Sequence, residues 1–202
     1  RQNIMNAPAI QIATAKPITC IPAAGVERGA LRPPSEQHSL MIRVVRNCPW
    51  NKCKFCPAYK GEKFSLRSAE GVIADIRQLA ADPANHDYRA AFLQDGDALA
   101  AKVDDLLQIL AAIHEYLPNI ERITAYSRSR MLINRKVEDL RRLKAAGLDR
   151  IHVGLESGCD EVLNFMNKGT TYAEQKTACL RVKEAGLELC CYVMPGLGGK
   201  CW

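Results

Sequence analysis

The sequence predicts an α/β fold, a partial (β/α) barrel of about five βα units with parallel strands. Two observations and one general rule carry that reading. Short runs of branched and apolar residues alternate with stretches whose apolar positions recur at helical spacing. The peptide Lys144-Ala145-Ala146-Gly147-Leu148 returns as Lys183-Glu184-Ala185-Gly186-Leu187, each copy closing a helix and launching a strand. Strands separated by helices pair in parallel through right-handed crossovers.

Half of the ten prolines fall in the first 34 residues, and that segment has no sustained period. Residues 1–38 are therefore expected to form an extended N-terminal leader and residues 39–202 the domain. Leu40-Met41-Ile42-Arg43-Val44-Val45 reads as the first strand, followed by a cysteine-bearing loop to Leu66. Ser68 caps a helix that presents Val72, Ile76 and Leu79 on one face. Ala90-Ala91-Phe92-Leu93 is the second strand. Val103, Leu106, Leu107, Leu110, Ile113 and Leu117 mark the next helix, which Pro118 stops.

Ile120 to Tyr126 is the third strand. A helix from Asn134 turns Val137, Leu140 and Leu143 inward and ends at Gly147. Ile151 to Leu155 is the fourth strand, Thr171 and Glu174 form a capping box, and Leu187 to Val193 make the fifth strand. In such folds the chemistry gathers at the C-terminal ends of the strands.

Composition bounds the function. Of 202 residues, 48% are hydrophobic and 25% charged, an ordinary globular balance that fits one domain and is thin for two. The formal charge of +6 is short of a nucleic-acid-binding arm, and no apolar run is long enough for a membrane span. The N-terminal segment lacks the basic-then-apolar order of a signal peptide, which points to the cytoplasm. Nine cysteines are many for this length. Cys48, Cys53 and Cys56 cluster tightly, as metal ligands in a reducing compartment do, whereas Cys20, Cys159, Cys179, Cys190, Cys191 and Cys201 are scattered and read as small buried hydrophobes.

Thiolates this close can wrap one metal cluster. Zinc or an electron-transfer iron–sulfur cube would need a fourth ligand, and no second Cys-x-x-Cys pair follows. Three cysteines on a cubane leave one iron open to a small molecule. A zinc knuckle completed by Cys159 or His38 is the alternative.

The Cys-x4-Cys-x2-Cys loop, with Phe55 before its last cysteine and set after the first strand, resembles the radical S-adenosylmethionine (radical SAM) superfamily. Arg32-Pro33-Pro34-Ser35-Glu36 and Ser39-Leu40-Met41-Ile42-Arg43 resemble its anaerobic Fe–S oxidoreductase branch, and the likeness runs from Leu31 to Gly199. The superfamily's commonest loop has three residues between its first two cysteines; four stand here. The resemblance implies a [4Fe-4S] cluster on Cys48, Cys53 and Cys56, with S-adenosylmethionine as cofactor. It implies reductive cleavage of that cofactor to methionine and a 5′-deoxyadenosyl radical, hydrogen abstraction from a substrate, and an external electron donor such as flavodoxin or ferredoxin. The superfamily's barrel continues to a sixth strand, which is missing after the fifth strand here.

The same resemblance assigns the other strand ends. Asp95, Gly96 and Asp97 stand where relatives meet the cofactor's amino group: glycine admits a close backbone approach and carboxylates suit an ammonium, although Asp-Gly-Asp alone is an ordinary turn. Glu156 and Ser157 take the ribose- and methionine-contacting position, with a helix-start carboxylate as the plain reading. Lys168 takes the place of a base that meets the cofactor carboxylate, or is a surface lysine. Ser127 takes a polar contact, Met194 and Gly196 lie in the adenine-binding strand end, and Phe55 flanks the adenine.

His38, His86, His114 and His152 show no ligand spacing and read as packing or surface. Arg128, Arg130, Arg135, Arg141 and Arg142 read as a solvated helix face, with RNA contact the weaker reading. A non-catalytic iron–sulfur or zinc module, or an inactive fragment of an enzyme, are the rival functions.

Overall fold

A computed structural model describes residues 25–200. Its main sheet has five parallel strands: β1 (Leu40–Arg43), β4 (Ala90–Gln94), β5 (Arg122–Ser127), β6 (Leu148–Glu156) and β7 (Glu188–Val193), hydrogen-bonded in that order. Between β1 and β4 a two-stranded antiparallel ribbon, β2 (Val45–Arg46) with β3 (Ser65–Leu66), brackets the cysteine loop. The helices are α1 (Ala69–Ala80), α2 (Val103–Tyr116), α3 (Ser129–Asn134), α4 (Val137–Ala145), α5 (Asp160–Phe165) and α6 (Tyr172–Glu184). This is the expected parallel β/α sheet.

Local signals place several element ends. Ser68 Oγ accepts from Gly71 N at 3.1 Å and starts α1. The Thr171–Glu174 box is closed in both directions at the start of α6. Gly147 and Gly186 adopt φ of 99° and 78°, so each repeat of the Ala-Gly-Leu peptide ends its helix with a left-handed residue that leads into β6 or β7.

Three expectations change. The first strand stops at Arg43 because the chain leaves the sheet, and Val45–Arg46 pair with the far side of the cysteine loop instead. The helix expected from Asn134 is α4, which starts at Val137, and a further short helix, α3, precedes it across an extended Arg135. A short helix, α5, fills the stretch between the fourth strand and the capping box.

Strand alternation separates two faces. Ile42, Leu93, Ala125 and Val153 face the helices and join Val72, Ile76, Leu106 and Leu110 in one core. Each fully buried Leu or Ile there contributes roughly 1.5–3 kcal/mol. The inner face is aromatic: Phe92 packs edge-on to Tyr126 at 4.9 Å, and His152 stacks on Tyr192 at 5.8 Å.

Residues 25–38 pack onto this domain, and residues 1–24 of the expected leader lie outside the described residues. Val26 is buried in the core, Gln94 holds the segment through Gly29 N and Leu31 O, and Glu36 is fully buried. Among the described residues no helix is long and apolar enough to cross a membrane.

Candidate active site at the strand ends

At the C-terminal ends of the strands lies a cavity of about 290 Å³. Cys48, Cys53 and Cys56 all line it, together with Phe55. Their loop is pinned from several sides. Asn47 and Asn51 take positive φ values of 66° and 47°, a region asparagine tolerates. The Asn47 amide donates to Lys63 O at 2.7 Å and the Asn51 amide to Tyr59 O and Glu62 O. Trp50 Nε1 donates to Asn167 O at 2.7 Å, and Lys54 N donates to Met166 O at 2.9 Å. Trp50 lies so close over Gly169 that a β-carbon there would stand 2.5 Å from its ring.

The three thiols are free and half-buried. Burial pushes the Cys53 thiol up, while Lys168 and Arg128 pull it back toward thiolate. Among the described residues no three His, Cys, Asp or Glu side chains converge on a point that would hold a single ion. A cubane presents its irons at separate corners, so three soft ligands spaced around one cavity suit it better than they suit one zinc. The alternative zinc ligands are engaged elsewhere: Cys159 Sγ donates to Glu161 at 3.0 Å and borders a different hollow, and His38 Nε2 bonds the Gln37 amide.

The turn after β4 places its glycine and its two carboxylates differently. Gly96 lines the cavity, but Asp95 and Asp97 are fully buried and engaged with the protein. Asp95 Oδ2 accepts from Arg43 Nε at 2.9 Å and Asp95 Oδ1 from the Tyr59 hydroxyl at 2.6 Å. Asp97 Oδ1 accepts from Ser127 Oγ at 2.9 Å, while its Oδ2 has no hydrogen-bond partner. Burial raises the Asp97 carboxyl to about 7, against the pull of Ser127 and Arg128. The carboxylates brace the wall, and the glycine between them presents backbone to the cavity.

Glu156 closes β6 with φ of 68°, where the pairing with β7 shifts register after Gly154. A glutamate held in the left-handed region is strained, and the bulge turns its carboxylate into the cavity wall. There Glu156 Oε1 receives Lys168 Nζ at 2.9 Å, with both side chains 11% exposed. Lys168 also stands 5.6 Å from the Phe55 ring centre. Ser127 and Arg128 complete this wall, and Arg128 stacks over Trp50 at 5.4 Å.

Ser157, Met194 and Gly196 lie in an adjoining hollow that shares Glu156 with the cavity. Met194 N donates to Glu156 O at 2.9 Å, tying the two strand ends together. Of the sequence-derived set, the three cysteines, Phe55, Gly96, Ser127, Glu156 and Lys168 therefore share one cavity, Ser157, Met194 and Gly196 line the neighbouring hollow, and Asp95 and Asp97 are buried behind the wall. Arg141 and Arg142 are spent in ion pairs with Glu184 and Asp104, as a solvated helix face requires.

Sequence reasoning passed over Tyr59, and it named Tyr192 and Arg43 only as members of the fifth-strand end and the first-strand motif, with no role of their own. Tyr59 and Tyr192 line the cavity, and Arg43 anchors Asp95. Strand alternation held a signal for Tyr192, which pairs with Gly154 in register, two residues from Glu156. Tyr59 carried none, because its position depends on the fold of the cysteine loop.

Comparison with known proteins agrees with this geometry. The family profile described as Radical SAM superfamily matches residues 42–201. A tRNA-2-methylthio-N(6)-dimethylallyladenosine synthase of Thiobacillus denitrificans is 28% identical over 182 residues, covering 84% of this chain and 36% of that protein. One from Alteromonas mediterranea is 25% identical over 160 residues, covering 75% of this chain and 32% of its own length. The chain thus spans about a third of the curated relatives it matches. Among solved structures, the cobalamin-dependent S-adenosylmethionine radical enzyme OxsB superposes with a TM-score of 0.64 at 19% identity, over 77% of this chain and 23% of that one. Methylornithine synthase (PylB) superposes at 0.58 with 15% identity, over 79% and 45%.

Proposed function

The chain belongs to the radical SAM superfamily, and we propose that it is a radical enzyme, an oxidoreductase that holds a [4Fe-4S] cluster on Cys48, Cys53 and Cys56 and S-adenosylmethionine in the adjoining cavity. The observation that carries this is the shared cavity: three free thiols and the Glu156–Lys168 ion pair line the same space. When bound, the two groups supply reductive cleavage of S-adenosylmethionine to methionine and a 5′-deoxyadenosyl radical that takes hydrogen from the substrate.

The chain's own residues bind, orient and shield. Lys168 meets the methionine carboxylate and Glu156 the ribose hydroxyls or the ammonium, each by a charge-assisted hydrogen bond. Gly96 lets the backbone approach the methionine portion where a side chain would not fit, since a β-carbon there would lie 3.0 Å from Cys48 Cβ. Asp95, clamped by Arg43 and Tyr59, holds that turn still. Phe55 covers the adenine and excludes water, and Ser127 offers its hydroxyl. Met194 and Gly196, beside Ser157, carry the backbone edge that reads the base.

An external one-electron donor of the flavodoxin or ferredoxin class reduces the cluster, and the free thiols suit a reducing, anaerobic cytoplasm. Electron paramagnetic resonance tests the reading: after anaerobic reconstitution and reduction, the cluster spectrum changes on adding S-adenosylmethionine. A spectrum indifferent to the cofactor contradicts direct ligation.

A further inference from the structure

The inner face of the sheet carries a polar chain that the proposed cofactor contacts do not use. His152 of β6 is fully buried, and its two ring nitrogens meet different partners. Nε2 lies 3.1 Å from Glu36 Oε1, and Nδ1 lies 2.8 Å from the Tyr192 hydroxyl. Glu36 arrives from the short turn Pro34–Glu36 ahead of β1 and is itself fully buried. Its second oxygen accepts from Ser39 Oγ at 2.5 Å and pairs with Arg122 at 3.2 Å.

This network sets the protons. A carboxylate already receiving Ser39 and Arg122 is the acceptor at Nε2, so the ring carries its proton there and offers the Nδ1 lone pair to Tyr192. Burial holds His152 below the ordinary imidazole range, with Arg150 and Arg122 acting in the same direction and Glu36 opposing them. The ring is neutral. Tyr192 then donates inward to His152 while the residue lines the cavity. Around Tyr192, burial and Cys190 raise the phenol, and a hydrogen bond with Ser35 favours its ionised form. Tyr126, which packs against both rings, completes the surroundings.

We propose that Glu36, His152 and Tyr192 form a proton-accepting relay in the wall of the cavity, acting on a substrate that carries a hydroxyl or amino group. In the step, the substrate O–H or N–H bond breaks and its proton forms a bond to the Tyr192 oxygen. The phenolic proton passes to Nδ1, and the Nε2 proton passes to Glu36 Oε1. One proton moves from substrate to Glu36, and no electron changes hands. A side chain activated by a histidine that a carboxylate orients is the general logic of a catalytic triad. The relay rests on the proposed reading of the cavity as the place of the radical chemistry, with the substrate brought to its wall.

The test uses the full chain with 15N-labelled histidine and needs neither cluster nor cofactor. Tyr192 is replaced by 3,5-difluorotyrosine, whose phenol is more acidic. A relay hands the phenolic proton to Nδ1 and the Nε2 proton to Glu36, so the fluorinated chain shows Nδ1–H alone near neutral pH, where the unmodified chain shows Nε2–H alone. Glu36→Gln in the fluorinated background abolishes that signal. Tyr192→Phe assigns the resonance by moving Nδ1 only. If His152 keeps its proton on Nε2 with Nδ1 bare in the fluorinated chain while its phenol ionises, the proton leaves to solvent and the relay is overturned, whether or not the Glu36 variant folds. That result leaves cofactor cleavage untouched, and absence of cofactor cleavage leaves the relay standing.

Discussion

Lys168 Nζ stands 2.9 Å from Glu156 Oε1, joining the segment after α5 to the strained end of β6 at the wall of the thiol-lined cavity. Both groups are largely sheltered from water, so neither ion would remain there unpaired at low cost. The pair is poised to be rearranged by a ligand carrying both an ammonium and a carboxylate.

Lys168→Ala and Glu156→Ala therefore keep the cluster and weaken S-adenosylmethionine binding. Loss of one charge-assisted hydrogen bond costs roughly 1.5–3 kcal/mol, about tenfold to a hundredfold in affinity. Anaerobic calorimetry measures it. Unchanged affinity in both variants removes the pair from the cofactor site.

The thiols divide into two classes. Alanine at Cys48, Cys53 or Cys56 abolishes the iron–sulfur chromophore, because each lines the cavity. Cys179, whose thiol is pushed up to about 11 by burial and the neighbouring Cys191, is dispensable. Iron and sulfide analysis of the four reconstituted variants decides between them; equal loss in Cys179→Ala would show a ligand set other than this one.

Gly96→Ala disturbs the cluster without replacing a ligand. The added β-carbon would meet Cys48 Cβ at 3.0 Å and the Tyr59 ring at 3.1 Å, and a packed wall yields only at a cost of about 1–3 kcal/mol. The variant is expected to fold with a lowered unfolding midpoint and to retain less iron per chain. Full iron content would mean that the loop gives way freely.

Asp97 makes stability depend on pH. Its folded carboxyl is raised to about 7 from an ordinary value near 3.8, so the folded protein binds the proton more tightly than the unfolded chain. Its contribution is greatest below the unfolded value and declines as pH rises through about 7, by at most about 4 kcal/mol. Asp97→Asn keeps an acceptor for Ser127 and removes this slope. Urea unfolding at about pH 5 and pH 8 compares the two, and equal slopes refute the assignment.

The parallel order of the sheet was legible because branched runs and helix stops recur in step, with Gly147 and Gly186 marking two of the turns. The grouping of Cys48, Cys53 and Cys56 was legible for a simpler reason: their spacing is local. What escaped depends on contacts far apart in sequence. Nothing near His152 announced Glu36, because the two approach only when the segment ahead of β1 packs under the sheet. The inward turn of Asp95 likewise follows from Arg43 and Tyr59, which reach it from β1 and from the cysteine loop. The break at Arg135 has its reason in the fold, where that guanidinium caps Leu99 O and Ala101 O.

The most direct measurement of the central claim is chromatography of products from the reconstituted, reduced full chain given S-adenosylmethionine under strictly anaerobic conditions. The shared cavity predicts slow formation of 5′-deoxyadenosine and methionine in equal amounts, absent in Cys53→Ala. A full cluster with bound cofactor, yet no 5′-deoxyadenosine above that control, would contradict it.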